Sequence, residues 1–210
     1  MSALCNAHKE TFRDHLGSEQ NAVGVKAALE KLSATLSVLL HLHPDAAVIQ
    51  VDAISAFNHM LREAMLEEIE ACCPQLLTIF SQWLARESTV VMFTLDGRLV
   101  EFKTGVGVDQ GCPGSPVAFA FGMRRALQRI RARVQVWFDQ STDSALRGAY
   151  LAILSYLDDL SLVIPPAAVE RAVPIVQSEL RAVGLDMNSD KSLCWAPSGQ
   201  CPPGQLARQL

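Results

Sequence analysis

Asp52, Asp158 and Asp159 are the residues of this chain whose type and surroundings most readily do chemistry. Asp158 and Asp159 stand side by side in "SYLDDLSLVI", residues 155–164, where Leu, Ile and Val on both sides call for burial. Adjacent carboxylates between apolar strands repel each other and cost free energy unless positive charge sits between them. Asp52 ends another apolar run, in "AAVIQVDAISAF". If these strands pair with the aspartates in register, the carboxylates converge at one end of a sheet. A pair of Mg²⁺ ions would supply the missing charge, because Mg²⁺ takes oxygen ligands, commonly one or two carboxylates with waters and substrate phosphates. Mn²⁺ is the alternative metal for such a donor set. Two ions about 3.5–4 Å apart clamp the attacking and leaving oxygens of an in-line phosphoryl transfer. The plainer alternative is a polar turn, since Asp is a common turn residue, and the aspartates alone favour it.

A second stretch bears on that choice: "GVGVDQGCPGSP", residues 105–116. Its glycines are spaced G-x-G-x-x-x-G with no βαβ unit around them, so the dinucleotide fingerprint fails. The G-x-x-x-x-G-K-[ST] phosphate loop is also missing, and Ser115 does not stand in G-x-S-x-G. What remains is a Gly-rich loop carrying Gln110, ahead of a helix whose N-terminus can face a phosphate or a base.

The elements that must position these residues read as follows. Residues 1–20 are polar and weakly patterned. From Asn21, "NAVGVKAALEKLSATLSVLLHLHP" has helical spacing and stops at Pro44. A buried strand then runs to Asp52. "NHMLREAMLEEIEACC" is expected as an amphipathic helix with Met60, Leu61, Ala64, Met65 and Ile69 as its stripe. Another helix follows Pro74. "STVVMFTLDGRLVEFKTGV" is a hairpin, with Asp96-Gly97 suited to a type I′ turn. A long helix follows the Gly-rich loop, and a second hairpin turns at Asp158-Asp159. "AAVERAVPIVQSELRAVG" is helical, kinked or divided by Pro174, and a short strand and a Pro/Gly-rich tail over 197–210 complete the chain. The class is α+β, an antiparallel sheet packed on helices.

Composition limits the alternatives. Of 210 residues, 50% are hydrophobic and 19% charged, the balance of a globular chain. "MSALCNAHKETFRDH" has no apolar signal region, and no apolar run reaches spanning length, so neither secretion nor a membrane is expected. None of the six cysteines forms a C-x-x-C pair, so zinc is not expected and a reduced intracellular compartment is the default, nucleus and cytoplasm not being distinguished. The net charge of −4 weighs mildly against a free-standing nucleic-acid-binding domain.

The residues carry a specific resemblance. "VDAISAFN" resembles the first palm motif of reverse transcriptases, and "GVDQGCPGSPVAFAF" the second, with its Gln-Gly and following Ser-Pro. "YLDD" resembles the third, Tyr-x-Asp-Asp, and "GLDMNSDKS" the fourth, Gly-Leu-x-x-Asn-x-x-Lys. Four motifs in family order outweigh any one of them. The Ala-Phe-Asn and "QGCPGSP" forms are closest in style to non-LTR retrotransposon enzymes, and the resemblance covers residues 21–196.

The resemblance implies a right-hand polymerase palm with partial fingers, acting as an RNA-directed DNA polymerase on an RNA template, a DNA primer and dNTPs. Asp52 and Asp158 would be the main metal ligands, with Asp159 adding charge and the Ala53 backbone carbonyl a further contact. Phe57 would be the steric gate against a 2′-hydroxyl, the group that tells ribo- from deoxyribonucleotides. Gln110 and Gly111 would meet the nucleotide and the template base, and Lys191 the departing pyrophosphate. Tyr156 would pack near the primer end. Arg125, Arg129 and Arg133, at i, i+4 spacing, would lay a basic face along template–primer phosphates. With a short N-terminal stretch and a short tail, early fingers motifs and the thumb are expected to be missing, as in a fragment of a longer retroelement polyprotein. The competing readings are an inactive remnant that at most binds nucleic acid or protein, and an RNA-dependent RNA polymerase, against which Phe57 and Tyr156 speak.

Overall fold

Short helices open the chain of this computed structural model, which describes residues 1–199. Helix α1 (Ser2–Ala7) and α2 (Lys9–Leu16) occupy the stretch that reads as weakly patterned, and α2 is anchored by Phe12 and Leu16, both in the core. Helix α3 (Ala28–Leu42) starts later than Asn21, after the left-handed Ala27. Strand β1 (Ala47–Val51) leads to the single-turn α4 (Ala56–His59) and then α5 (Arg62–Cys72). The expected single helix after Asp52 is thus two, separated by Met60 and Leu61. Met60, Met65 and Ile69 are buried, while Leu61 stays exposed. A 3₁₀ turn at Pro74–Leu76 enters α6 (Leu77–Leu84).

Strands β2 (Ser88–Phe93) and β3 (Leu99–Thr104) form a separate two-stranded sheet. Its turn is not type I′. The Gly97 amide donates to the Thr94 carbonyl and the Thr94 amide to the Arg98 carbonyl, giving a three-residue loop with only Gly97 at positive φ, 78°. That is the longer hairpin solution, a type I turn closed by a left-handed glycine.

Helix α7 (Ser115–Gln140) is the spine. It is followed by β4 (Ala152–Tyr156), β5 (Asp159–Ile164), α8 (Val169–Arg181) and β6 (Leu193–Trp195). Pro174 does not divide α8. The helix runs unbroken from Val169 to Arg181, with Pro174 on its exposed side. The tail expected over 197–210 lies, from residue 200 on, outside the described residues.

The main sheet is antiparallel, in the order β4-β5-β1-β6. Alternation sets its faces. Ala47, Ile49 and Val51 of β1 with Leu160, Leu162 and Ile164 of β5 point into the core shared with α5, α7 and α8. Gln50, Tyr156, Asp159 and Ser161 take the alternate positions and are not buried, whereas Val48 and Val163 on the same face are fully covered. The α+β architecture, an antiparallel sheet packed on helices, is the one expected.

Candidate active site

Asp158 owes its place to a turn that its neighbours do not favour. Tyr156 pairs with Asp159, leaving Leu157 and Asp158 as a two-residue turn between β4 and β5. Leu157 has φ 55° and Asp158 is not in the positive range, the sign pattern of a type II′ turn, in which glycine normally fills the first position. A leucine held there costs on the order of 1–3 kcal/mol unless its surroundings over-determine it. They do. Buried Gln20 accepts a hydrogen bond from the Leu157 amide at 2.9 Å and donates to the Leu157 carbonyl at 3.2 Å. The buried Ser155 hydroxyl donates to the same carbonyl at 3.1 Å.

Asp52 follows the last residue of β1, and β1 pairs with β5 through Val51 and Leu160. Extending that register by one sets Asp52 opposite Asp159. The segment after α8 locks it from the other side: Asn188 N–H donates to the Asp52 carbonyl at 2.8 Å, and the Asp52 amide donates to the Ser192 hydroxyl at 3.1 Å. An isolated bridge joins Ala53 to Met187. The fourth motif is therefore fastened to the first by backbone bonds, which brings Lys191 and Asn188 to the aspartates.

The Gly-rich loop is docked by Gly107. Its amide donates to the Met60 carbonyl, Val108 N–H donates to the Phe57 carbonyl at 2.7 Å, and buried Arg62 donates to the Gly107 carbonyl at 2.8 Å. A Cβ on Gly107 would stand 2.5 Å from the Phe57 oxygen, so the close approach that demands glycine is here. Gly111 differs: its φ of 93° suits glycine, but a Cβ there would meet open space. Phe57 is half-buried and stacks on Phe119 of α7 with centroids 4.5 Å apart and planes 6° from parallel. Its ring packs against the core at Phe119, and the residue also lines a cavity shared with Asp52 and Asp158.

One cavity of about 340 Å³ is lined by Asp52, Ala53, Ser55, Phe57, Gln110, Asp158, Asn188 and Lys191, among others. Six residues singled out from the sequence thus meet in it. Gly111, Tyr156 and Asp159 do not line it, Asp159 lying exposed beside it. Burial, then the charges of Asp158 and Asp52, push the Asp159 carboxyl above its ordinary range. The expected convergence is accordingly a pair of carboxylates at the cavity with a third alongside; among the described residues no three acidic, His or Cys side chains gather closely enough to hold a metal by themselves. Mg²⁺ needs only one or two protein carboxylates. An all-oxygen donor set in a zone of crowded negative charge fits that ion.

The arginine face does not stand free. Arg125 pairs with Glu67 and, at 3.2 Å, with Glu68 of α5; Arg133 and Arg129 pair with Glu179 of α8 at 2.6 and 3.9 Å. Arg124 pairs with Glu68 at 2.8 Å, and Arg131 with Glu19 at 2.5 Å. α7 packs between α5 and α8, so Arg125, Arg129 and Arg133 each face a glutamate of those helices while keeping part of the side chain exposed. Burial pushes Glu68 up, but hydrogen bonds from His15 and Arg124 and the charges of Arg124 and Arg125 outweigh it and hold the carboxyl below its usual range.

Sequence reading missed Gln20, Arg62, Asn188 and Ser192. Asn188 and Ser192 stood within the quoted fourth motif without being singled out; for Gln20 and Arg62 only long-range hydrogen bonds reveal a role.

Among solved structures the chain resembles telomerase from Candida albicans in complex with a fragment of telomeric RNA, at 15% identity and TM-score 0.59, covering 91% of this chain and 33% of that one. Telomerase from Candida tropicalis with the same kind of RNA fragment matches at 15% identity and TM-score 0.60, covering 91% and 32%. Apo telomerase from Candida tropicalis, truncated from its C-terminal domain, matches at 13% identity and TM-score 0.59, covering 90% and 38%. The chain thus spans about a third of the length of these structures, and at such identities the likeness is one of fold. No curated protein matches it. A family model described as reverse transcriptase (RNA-dependent DNA polymerase) matches residues 11–201. With that match running over nearly the whole chain, on this fold, the chain belongs to the reverse transcriptase family.

Proposed function

We propose that this chain is the catalytic palm of an RNA-directed DNA polymerase, of non-LTR retrotransposon type, transferring deoxynucleotides to a primer 3′-hydroxyl paired to an RNA template. The observation that carries it is the single cavity in which Asp52, Ala53, Phe57, Gln110, Asp158 and Lys191 meet. Asp52, Asp158 and the Ala53 backbone would hold two divalent cations, with Asp159 adding negative charge. When bound, the cations would lower the pKa of the primer hydroxyl and neutralise the triphosphate. Phe57, braced on Phe119, presents a flat ring beneath the sugar and leaves no room for a 2′-hydroxyl. Gln110 meets the nucleotide, Gly111 leaves space beside the template base, and Lys191 steadies or protonates the departing pyrophosphate. Tyr156, on the open face of the sheet, packs near the primer end. The parent is a longer intracellular retroelement protein whose other parts grip the duplex, since the α7 arginines are already paired.

Primer extension on an RNA template with Mg²⁺ and dNTPs tests this. Incorporation by the chain and loss to background in Asp158→Ala is the expected result. No incorporation, or equal incorporation by the variant, favours the inactive remnant. Phe57→Ala is expected to admit ribonucleotides; unchanged sugar discrimination refutes the gate.

A further inference from the structure

The β4–β5 turn is fastened to a residue 137 positions away in sequence. All four hydrogen-bonding positions of the Gln20 amide are used: Oε1 accepts from the Leu157 and Ala22 amides at 2.9 and 3.2 Å, and Nε2 donates to the Ser155 hydroxyl and the Leu157 carbonyl at 3.1 and 3.2 Å. The side chain is 1% exposed. The backbone around it is fixed as well. Ser155 N–H donates to the Glu19 carbonyl at 2.8 Å and Asn21 N–H to the Ser155 carbonyl at 2.9 Å, so residues 19–21 cover the outer edge of β4. Glu19 is tied in turn to Arg131 of α7 at 2.5 Å.

The bond to the Leu157 carbonyl matters most. That carbonyl belongs to the Leu157–Asp158 peptide, whose orientation distinguishes a type II′ from a type I′ turn and so sets the direction in which the next side chain leaves. We propose that Gln20 is the positioning residue for Asp158: its amide grips both polar groups of Leu157, holds that residue in a conformation leucine avoids, and thereby aims the Asp158 carboxylate into the cavity. The proposal rests on the polymerase reading for what the carboxylate does there, but not for the geometry.

Gln20→Met keeps the volume and removes every one of these bonds; Gln20→Glu keeps the acceptor for the Leu157 amide and loses the donor to its carbonyl. Three readouts on the full chain apply: exchange of the Leu157 amide by NMR, Mn²⁺ affinity by electron paramagnetic resonance with Asp158→Asn as the site control, and kcat and nucleotide KM for primer extension. Loss of a group that orients a metal ligand commonly lowers affinity or activity by about 10- to 100-fold. Gln20→Met is expected to show that fall in Mn²⁺ affinity and kcat, faster Leu157 exchange, and an unchanged KM, because Phe57 and Gln110 are untouched. Gln20→Glu should fall between it and wild type, and decides the matter if Gln20→Met does not fold. Wild-type values for all three readouts in a folded variant would overturn the positioning role and leave the polymerase reading standing. A wild-type chain that binds Mn²⁺ but never extends a primer, with affinity and protection lost in Gln20→Met, would overturn the polymerase reading and keep the role of Gln20. No Mn²⁺ uptake by the wild type overturns both.

Discussion

Two hairpins stand among the described residues, and their turns have opposite character. Between β2 and β3, glycine occupies the left-handed position, Thr94 and Arg98 close the loop, and none of the described residues is buried; Phe93 is 73% exposed and Leu95 entirely so. Between β4 and β5, leucine occupies a position that suits glycine, while the strands run through the core and the turn is gripped by Gln20 and Ser155. Local preference is satisfied where the hairpin stands alone, because an isolated two-stranded sheet has little else to hold it. It is overridden where the turn carries the aspartate. Sites of this kind are where structure can afford strain, since packing over-determines them.

Substitutions can break this contrast. The largest stability effect should come from the charge cluster that ties α5 to α2 and α7. Glu68 of α5, 4% exposed, faces His15 of α2 and Arg124 and Arg125 of α7, with Glu67 and Cys72 nearby on its own helix. Removing one partner of a largely buried ion pair is costly, and with Arg125 partly solvated Glu68→Gln should lose about 2–3 kcal/mol by urea unfolding. The pH dependence follows from the lowered carboxyl of Glu68. Its contribution is full above the unfolded value near about 4.3 and is lost as pH falls through the lower folded value, so Glu68→Gln should flatten the acid limb of stability. An acid limb identical to wild type would mean that the pairs add nothing.

The turns themselves offer a matched pair. Gly97→Ala forces a Cβ onto a left-handed residue with open space around it, and should cost about 1 kcal/mol of hairpin stability while leaving nucleotide incorporation unchanged. Leu157→Gly relieves φ strain but loses a half-buried side chain packed on the core, so stability should move by less than about 1 kcal/mol. Incorporation should nevertheless fall, because the turn is freed to adopt other forms. A loss well above that figure in Leu157→Gly would show that side-chain packing, rather than the hydrogen bonds to Gln20 and Ser155, holds the tip.

How much of this was legible beforehand differs by residue. Asp52, Phe57, Gln110, Asp158 and Lys191 stand in motifs whose neighbours are local in sequence, so the motifs could be read without knowing the packing. Gln20 and Arg62 act through partners 137 and 45 positions away, which no local pattern records, and Ser192, though inside the fourth motif, acts through one 140 positions away. The arginines of α7 have the spacing of a basic face, but spacing cannot say whether glutamates of α5 and α8 lie across from it. The left-handed glycine of the first hairpin was legible, its turn type less so, because Asp96-Gly97 suits more than one loop.

By itself, then, the sequence determined the strands and the order of the main helices from Asn21 onward, though not the two N-terminal helices or the break at Met60 and Leu61, and it determined the motif residues at the strand ends. These depend on periodicity and on side-chain chemistry within a few residues. Only the tertiary structure decided that two carboxylates share the cavity while the third stands beside it, that Gly107 makes the close approach, and that the turn at Leu157 is held from Gln20. Those outcomes depend on register between distant strands and on which polar group finds which partner, and both are settled when the chain packs.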